Sequence, residues 1–517
     1  MSDTAASANL RIADGSGKWV LAATVAGSAS AFLLATVVNV ALPAIGSELG
    51  AGIAGRQWIV IGYLLTLSAA ILVGGSLGDR LGRRRVYIVG LVWFAAASVL
   101  CAIAPTLPLL IAARVAQGIG GALLTPGSLA ILQSSFAPAD RARAIGAWSA
   151  LGSIAQLIGP VLGGVVVDTA GWRTVFLLPL PLCAFVIWAA LAHVPETRDD
   201  TVSGRLDIPG AGLSMIALAG VTYAVIEAPN RGLTDPLLLV TVAAGITAAI
   251  AFVVVEEREA NPMLPPSIFA SRQFTWANAL CFVVYAALGG VSFLLVQHLQ
   301  IVLGYSGTQA GAAFVPVSLI MFALSERSGA LAQRIGPRRP LTAAAIVLTI
   351  AMLLLGMIDQ GDAYLTSVFP AAVVFGLGLA GLVAPVTATT LAAADQRHSG
   401  VASGVNNAVS RVAQLLATAA LPVVAGLTSD SGDISPAVFS AGFTRAMFIT
   451  AALTAVGVVI AWTRISDDVL ADDTPAVDVP PDRDAERQPR EPLDKWCCGL
   501  ESAPERVHAG HPRHRDA

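Results

Sequence analysis

The chain has 517 residues, of which 55% are apolar, 13% charged and 6% aromatic, with a mean hydropathy of +0.73. Soluble domains are about a quarter charged, so a globule of this length would lack the polar surface to stay wet. A soluble enzyme, a nucleic-acid binder and a disordered scaffold are excluded. The net charge of −3 names no partner, because the charges sit in loops and in one terminal stretch.

Residues 1–19 are short and polar and read as a cytoplasmic amino-terminal segment. Fourteen apolar blocks follow, at 20–43, 57–77, 86–104, 108–133, 143–167, 174–193, 210–227, 236–255, 275–298, 308–328, 340–358, 366–391, 401–426 and 441–463. A helix needs about 20 such residues to cross a hydrocarbon layer of about 30 Å. In lipid the backbone must be satisfied within each segment, which predicts helices. Runs such as Ile250-Ala251-Phe252-Val253-Val254-Val255 have none of the alternation of a barrel strand. The expected fold is an all-α polytopic membrane protein with 14 transmembrane helices. The first block has no small-residue cleavage site and reads as a retained helix rather than a signal peptide.

Arginine placement gives the orientation. With the amino terminus inside, Arg80, Arg83, Arg84, Arg85, Arg141, Arg143, Arg334, Arg338 and Arg339 fall on the inner side, and Arg411 at the inner edge of its span. Only Arg56, Arg173, Arg231 and Arg445 fall outside, so both termini are expected in the cytoplasm. Residues 466–517 are rich in Pro, Asp and Arg without apolar period and read as a disordered tail. Cys101, Cys183 and Cys281 lie in apolar blocks and read as small buried thiols, whereas Cys497 and Cys498 sit in the tail. Neither a disulfide framework nor a metal site is expected. Lysine occurs twice against 29 arginines, and Ala and Gly abound, which points to a high-GC bacterial genome and a plasma-membrane address.

A weak duplication runs through the chain. Gly75-Ser-Leu77-Gly-Asp79-Arg80-Leu-Gly82-Arg83-Arg84-Arg85 is echoed at an offset of 254 by Gly329-Ala-Leu331-Ala-Gln333-Arg334-Ile-Gly336-Pro-Arg338-Arg339. Gly118, Gly120, Gly121 and Pro126 pair with Gly376, Gly378, Gly381 and Pro385, and Ile154-Ala155-Gln156-Leu157 with Val412-Ala413-Gln414-Leu415. The offset equals eight spans. It predicts a six-helix bundle at 20–193, two inserted central helices at 210–255 and a related six-helix bundle at 275–463, a plan transporters use to hold substrate between repeats.

Four segments carry a resemblance: Gly75 to Arg85; Arg114-Val-Ala-Gln117-Gly118-Ile-Gly120-Gly121-Ala122; Gly159-Pro160-Val-Leu-Gly163-Gly164; and Thr36-Val-Val-Asn39-Val-Ala-Leu42-Pro43. In this order the chain resembles the major facilitator superfamily, in its 14-helix drug:proton antiporter branch, over about residues 20–465. The resemblance implies a multidrug-resistance-type exporter that works by alternating access on the proton gradient, with no cofactor.

Each motif also has a physical reading. Gly75 and Gly329 permit close packing. Asp79, beside Arg80, Gly82 and Arg83, caps a helix or pairs with an arginine, a latch that switches between states, with Arg334 and Gly336 its counterparts in the second half; a plain cytoplasmic turn is the other reading. Arg114 is the one basic residue placed inside a span, where an unpartnered charge is costly. It faces a cavity or partner, or snorkels from the helix end. The resemblance links it to proton transfer. Gly159, Pro160, Gly163 and Gly164 form a packing seam of small residues with a kink. Trp172-Arg173 reads as an interfacial anchor. Beside Arg114, the polar cavity candidates are Thr36, Asn39, Gln117, Gln156, Tyr285, Gln297, Thr387, Asn406, Asn407, Arg411 and Gln414, each equally readable as a helix–helix hydrogen bond.

The chain departs from the family where an acid usually stands two residues before Thr36, because that place is Leu34; Trp58-Ile-Val60 is likewise followed by Ile61. No Asp or Glu lies in the middle third of any span. Residual proton-coupling candidates are Asp79, Arg114, Glu227 and His298. An apolar cavity with Arg114 as its fixed charge suits an amphipathic substrate that is neutral or anionic rather than a dication. The leading expectation is a monomeric secondary exporter of amphipathic drugs or natural products, with the lipid bilayer and no nucleic acid as its surroundings. A transport-inactive sensor or scaffold on the same fold is the alternative. No Gly-Lys-Ser/Thr phosphate loop is present, which argues against ATP drive. No convergence of His, Asp or Cys suggests an enzyme.

Overall fold

The computed structural model describes residues 10–198, 207–258, 266–394, 399–428 and 435–470. Among them are fourteen long helices: α1 (Gly15–Leu49), α2 (Ile53–Leu81), α3 (Arg83–Ile103), α4 (Leu107–Ser135), α5 (Pro138–Ala170), α6 (Pro179–His193), α7 (Ile208–Arg231), α8 (Pro236–Arg258), α9 (Arg272–Ile301), α10 (Val315–Ile335), α11 (Arg338–Leu355), α12 (Phe369–Ala392), α13 (Ser399–Val424) and α14 (Pro436–Arg464). Thirteen helical segments are long and apolar enough to cross a membrane; α5 is the one outside that set and contributes the apolar stretch Ile158–Ala170. Short turns at Trp172–Val175 and Gly307–Ala312 and a π turn at Tyr364–Val368 lead into α6, α10 and α12.

The duplication seen in the sequence recurs in the packing. In the first half α1 packs on α5, α4 and α6, and α4 on α2 and α3. Eight helices on, α9 packs on α13, α12 and α14, and α12 on α10 and α11. Glycine makes these approaches possible. A Cβ on Gly120 would lie 2.8 Å from Phe94 N of α3, and one on Gly378 2.9 Å from Leu348 N of α11. Close backbones of this kind replace the hydrophobic drive that lipid does not supply.

The α2–α3 and α10–α11 turns share one end of the molecule with the start of α1 and the end of α14, here the near end; the α1–α2, α5–α6 and α9–α10 connections lie at the far end. Gly82 (φ 105) and Gly336 (φ 83) make the two near-end turns in a region that favours glycine. An acid three residues past the bundle's last helix clips each turn. The Glu196 carboxylate accepts from Arg84 N at 3.1 Å, and Asp467 from Arg338 N at 3.1 Å. The sequence reading overlooked both acids. The tail expected from residue 466 therefore begins with an ordered turn, Asp467–Leu470; residues 471–517, with Cys497 and Cys498, lie outside the described residues.

The inserted pair is central in sequence but peripheral in space. Only 17% of the apolar stretch of each of α7 and α8 is buried. The two pack together through Gly220 and Gly245, and α7 lies against both α2 and α13, where the halves meet. Exposed apolar residues such as Leu237, Val240, Ile250, Val89 and Leu100 suit a lipid surround. Cys101, Cys183 and Cys281 are buried and free, as expected.

Candidate functional site: a cavity shared by the two halves

A small cavity of about 80 Å³ lies between the halves. It is lined by Ala35, Val38 and Asn39 of α1, Val60, Tyr63 and Leu64 of α2, Arg114 of α4, Gly289, Ser292 and Phe293 of α9, and Arg411, Gln414 and Thr418 of α13. Two arginines and no acid are among these residues. Drug-sized ligands occupy pockets of about 300–1,000 Å³, so a ligand of that size requires the lining to part.

Arg114 is 1% exposed and is met on several sides. Its Nε donates to Ile59 O at 3.0 Å, an Nη–H reaches Gln117 Oε1, and the Tyr63 ring lies 4.5 Å from its Cζ. Gln117 in turn donates to Ser98 Oγ at 2.6 Å. Insertion of an arginine at a bilayer centre costs about 2.5–3.5 kcal/mol; hydrogen bonds from a charged group return about 1.5–3 kcal/mol each. The side chain is therefore a fixed, satisfied cation, not one snorkelling from a helix end.

Arg411 departs from the sequence expectation, which put it at an inner edge and left Arg114 alone within a span. It sits midway along α13 and lines the cavity. Its Nε is buried without a hydrogen-bond partner, as is Asn39 Oδ1 on the opposite half. The polar residues of α13 recur at helical spacing as Ser403, Asn407, Arg411, Gln414 and Thr418. That stripe runs from the cavity toward the near end, where Ser403 and Asn407 are exposed.

Other candidates lie elsewhere. Thr36 turns its hydroxyl back to Leu33 O at 2.9 Å and abuts Gly159. Asn406 accepts from Cys281 Sγ at 3.0 Å inside the second half. Tyr285 and Thr387 are outside the lining. The side chain of Gln156 lies outside the described residues. Gln297 is fully buried and accepts from Arg56 Nη1 at 3.1 Å. Glu227 accepts from Trp58 Nε1 at 2.9 Å and lies 3.8 Å from Arg231, tethering α7 to α2. His298 is buried away from the cavity, its Nε2 3.0 Å from Ile358 O and its ring stacked at 3.9 Å on Phe443. Leu34 and Ile61, which hold the places of the family's polar or acidic residues, are buried off the lining.

The hydrogen bonds between halves, among the described residues, gather at the far end. Gln57 Nε2 donates to Thr418 O and Ala419 O, both at 2.8 Å, and Gln300 Nε2 to Val40 O at 3.0 Å. The Asp168 carboxylate accepts from Gly307 N at 2.9 Å, Thr308 N at 2.8 Å and Thr308 Oγ1 at 2.7 Å. The glycine seam of α5 serves both contacts: Gly159 and Gly163 seat α1, and Gly164 seats the Gly307–Ala312 turn across the halves, where a Cβ would strike backbone. Trp172 is buried, and it and Arg173 both hold Glu48 at the end of α1.

At the near end Asp79 pairs with Arg83 at 2.8 Å, across the α2–α3 turn of its own half. Arg80 lies next to it in sequence, Gly75 packs toward Pro126, Gly329 toward Ala384, and Arg334 is exposed.

Two related helical bundles, joined at one end and lining a shared polar cavity, define a membrane transporter for small molecules. The sequence model of the Major Facilitator Superfamily matches residues 24–418, and the chain belongs to that family. It is 35% identical over 407 residues to the multidrug resistance protein Stp of Mycobacterium tuberculosis (strain CDC 1551 / Oshkosh), covering 78% of this chain and 74% of that one. It is 35% identical over 412 residues to the methylenomycin A resistance protein of Streptomyces coelicolor (strain ATCC BAA-471 / A3(2) / M145), covering 79% and 86%. Its fold matches the crystal structure of a POT family transporter in complex with 5-aminolevulinic acid, with a TM-score of 0.64 at 14% identity, over 86% of this chain and 94% of that one.

Proposed function

We propose that this protein exports amphipathic small molecules, drugs or natural products, across a bacterial plasma membrane by alternating access, as a monomer driven by the proton-motive force. The observation that carries the reading is the cavity built from both halves and closed at the far end by the Gln57, Gln300 and Asp168 contacts. A carrier must expose one site to each side in turn, and a site on the seam of two rocking bundles does so.

The arginine-rich near end faces the cytoplasm in this reading, with both termini. The closed far end then makes the conformation inward-facing, and the polar stripe of α13 is the cytoplasmic approach to the cavity. Resistance proteins among the relatives support export over a transport-inactive sensor. The test is growth of a pump-deficient bacterial host that expresses the chain across a panel of toxic amphipathic compounds, with an Arg114→Ala variant at equal expression. Expected is raised tolerance to a subset of compounds, lost in the variant. Unchanged tolerance across the panel overturns the reading.

A further inference from the structure

We infer that the cavity selects amphipathic anions, and that Arg411 is the residue that receives the acid group. The inference rests on the cavity being the substrate's site, and it follows from how differently the two arginines are held. Arg114 is engaged by Ile59 O, Gln117 and the Tyr63 ring, so its charge is fixed in place. Arg411 lines the same cavity from the other half, and its Nε has no hydrogen-bond partner. It stands twelve residues from the start of α13 and thirteen from its end, roughly 18 Å from either at 1.5 Å per residue. That is beyond the reach of an arginine side chain to the headgroups.

The ionisable groups that share the cavity lining with Arg411 are Arg114 and the phenol of Tyr63, and a phenol is not an anion at neutral pH. Among the described residues that line the cavity none is a carboxylate. Two like charges facing one small cavity repel a cation and favour a ligand that brings a carboxylate or sulfonate, which a guanidinium binds through paired donors. The apolar walls, Val38, Val60, Leu64 and Phe293, suit the rest of an amphipathic molecule. Asn39 Oδ1, an acceptor without a partner on the opposite wall, fits a hydroxyl or amide N–H on that molecule.

A matched pair of dyes tests this on the full chain: 1-anilinonaphthalene-8-sulfonate, an anion, and its neutral parent N-phenyl-1-naphthylamine. Binding to the purified protein is read by fluorescence in wild type, Arg411→Gln and Arg411→Lys. Loss of a charge-assisted hydrogen bond predicts at least a tenfold weaker affinity for the sulfonate in Arg411→Gln. Arg411→Lys, which keeps the charge but not the paired donors, should recover part of it, and the neutral dye should bind all three within about twofold. Equal sulfonate affinity in wild type and Arg411→Gln, or equal loss of both dyes, overturns the inference. Should Arg411→Gln fail to fold, competition on the wild type decides. Displacement of the bound dye by 1-naphthalenesulfonate supports the site, and equal displacement by a naphthylmethylammonium cation overturns it. Proteoliposome flux separates this inference from the export reading. Arg411-dependent sulfonate binding without flux keeps the anion site and removes the exporter; flux of the neutral dye or of ethidium without the sulfonate does the reverse.

Discussion

Arg114 shows how a buried charge is made tolerable and then useful. Its partners are a backbone carbonyl, an amide and a ring, none of which neutralises it, so the positive potential is left in the cavity. Gln117 is the hinge of the arrangement, because it accepts from Arg114 and donates to Ser98. Gln117→Leu removes the acceptor of the Arg114 Nη–H from a buried site and leaves Ser98 with only its bond to Phe94 O. We expect a loss of about 1.5–3 kcal/mol of stability, read as a lower unfolding temperature in detergent, with transport reduced in parallel. A Gln117→Leu protein as stable as wild type would show that Arg114 has another partner. His298 marks the contrast: it is stacked on Phe443, lies 3.0 Å from Ile358 O and is outside the cavity lining. How Arg114 and Arg411 were legible also differs. Arg114 stands out in sequence as a charge within an apolar run. Arg411 lies near polar neighbours, Asn406, Asn407 and Ser410, that blur the edge of its span. Only the position of α13 puts it at mid-helix.

At the scale of elements, the far-end closure rests on α5 and the turn that opens α10. Asp168 lies one residue past the apolar span of 143–167. Partial burial pushes its carboxyl up, but the hydrogen bonds from the Thr308 hydroxyl and the Thr308 and Gly307 amides outweigh this and hold it below the usual aspartate value. A group lowered in this way keeps its contribution above its ordinary value of about 3.9 and loses it only as pH falls through the lowered one. The clasp is therefore fully formed at neutral pH and throughout the mildly acidic range. Spin labels across the α5 and α10 far ends should give the same distance distribution at pH 7.5 and pH 5. Asp168→Asn, with one oxygen and no charge, should shift part of the population to longer distances at both pH values. A pH-driven opening in the wild type would contradict the assignment. The glycine seam beside it was readable as small residues at helical spacing. Its two destinations, α1 for Gly159 and Gly163 and the other half for Gly164, follow from which faces of α5 meet which helix.

For the whole molecule, the missing cavity carboxylate becomes intelligible if the substrate carries the charge. Moving one negative charge outward across an inside-negative membrane gains about 2.3 kcal/mol per 100 mV, equivalent to about a 50-fold concentration ratio. The electrical part of the proton-motive force then suffices without a proton site on the path. In proteoliposomes at equal pH on both sides, an imposed potassium-diffusion potential, negative on the dye-loaded side, should accelerate sulfonate-dye efflux and leave neutral-dye efflux unchanged. Sulfonate efflux that responds to a pH gradient and ignores the potential would refute this.

That this chain lives in a bilayer as helices, in two related sets of six with a pair between them, was legible from its residues alone. Span length, all-round apolarity and a repeat at offsets of 254 to 260 residues are local or one-dimensional signals, and lipid enforces them segment by segment. Tertiary structure alone decided which polar residues share the cavity and which are helix-to-helix bonds, because that depends on the rotation of each helix about its axis. It also decided that the inserted pair lies at the periphery and that Glu196 and Asp467 clip the near-end turns, contacts made by residues more than a hundred positions apart.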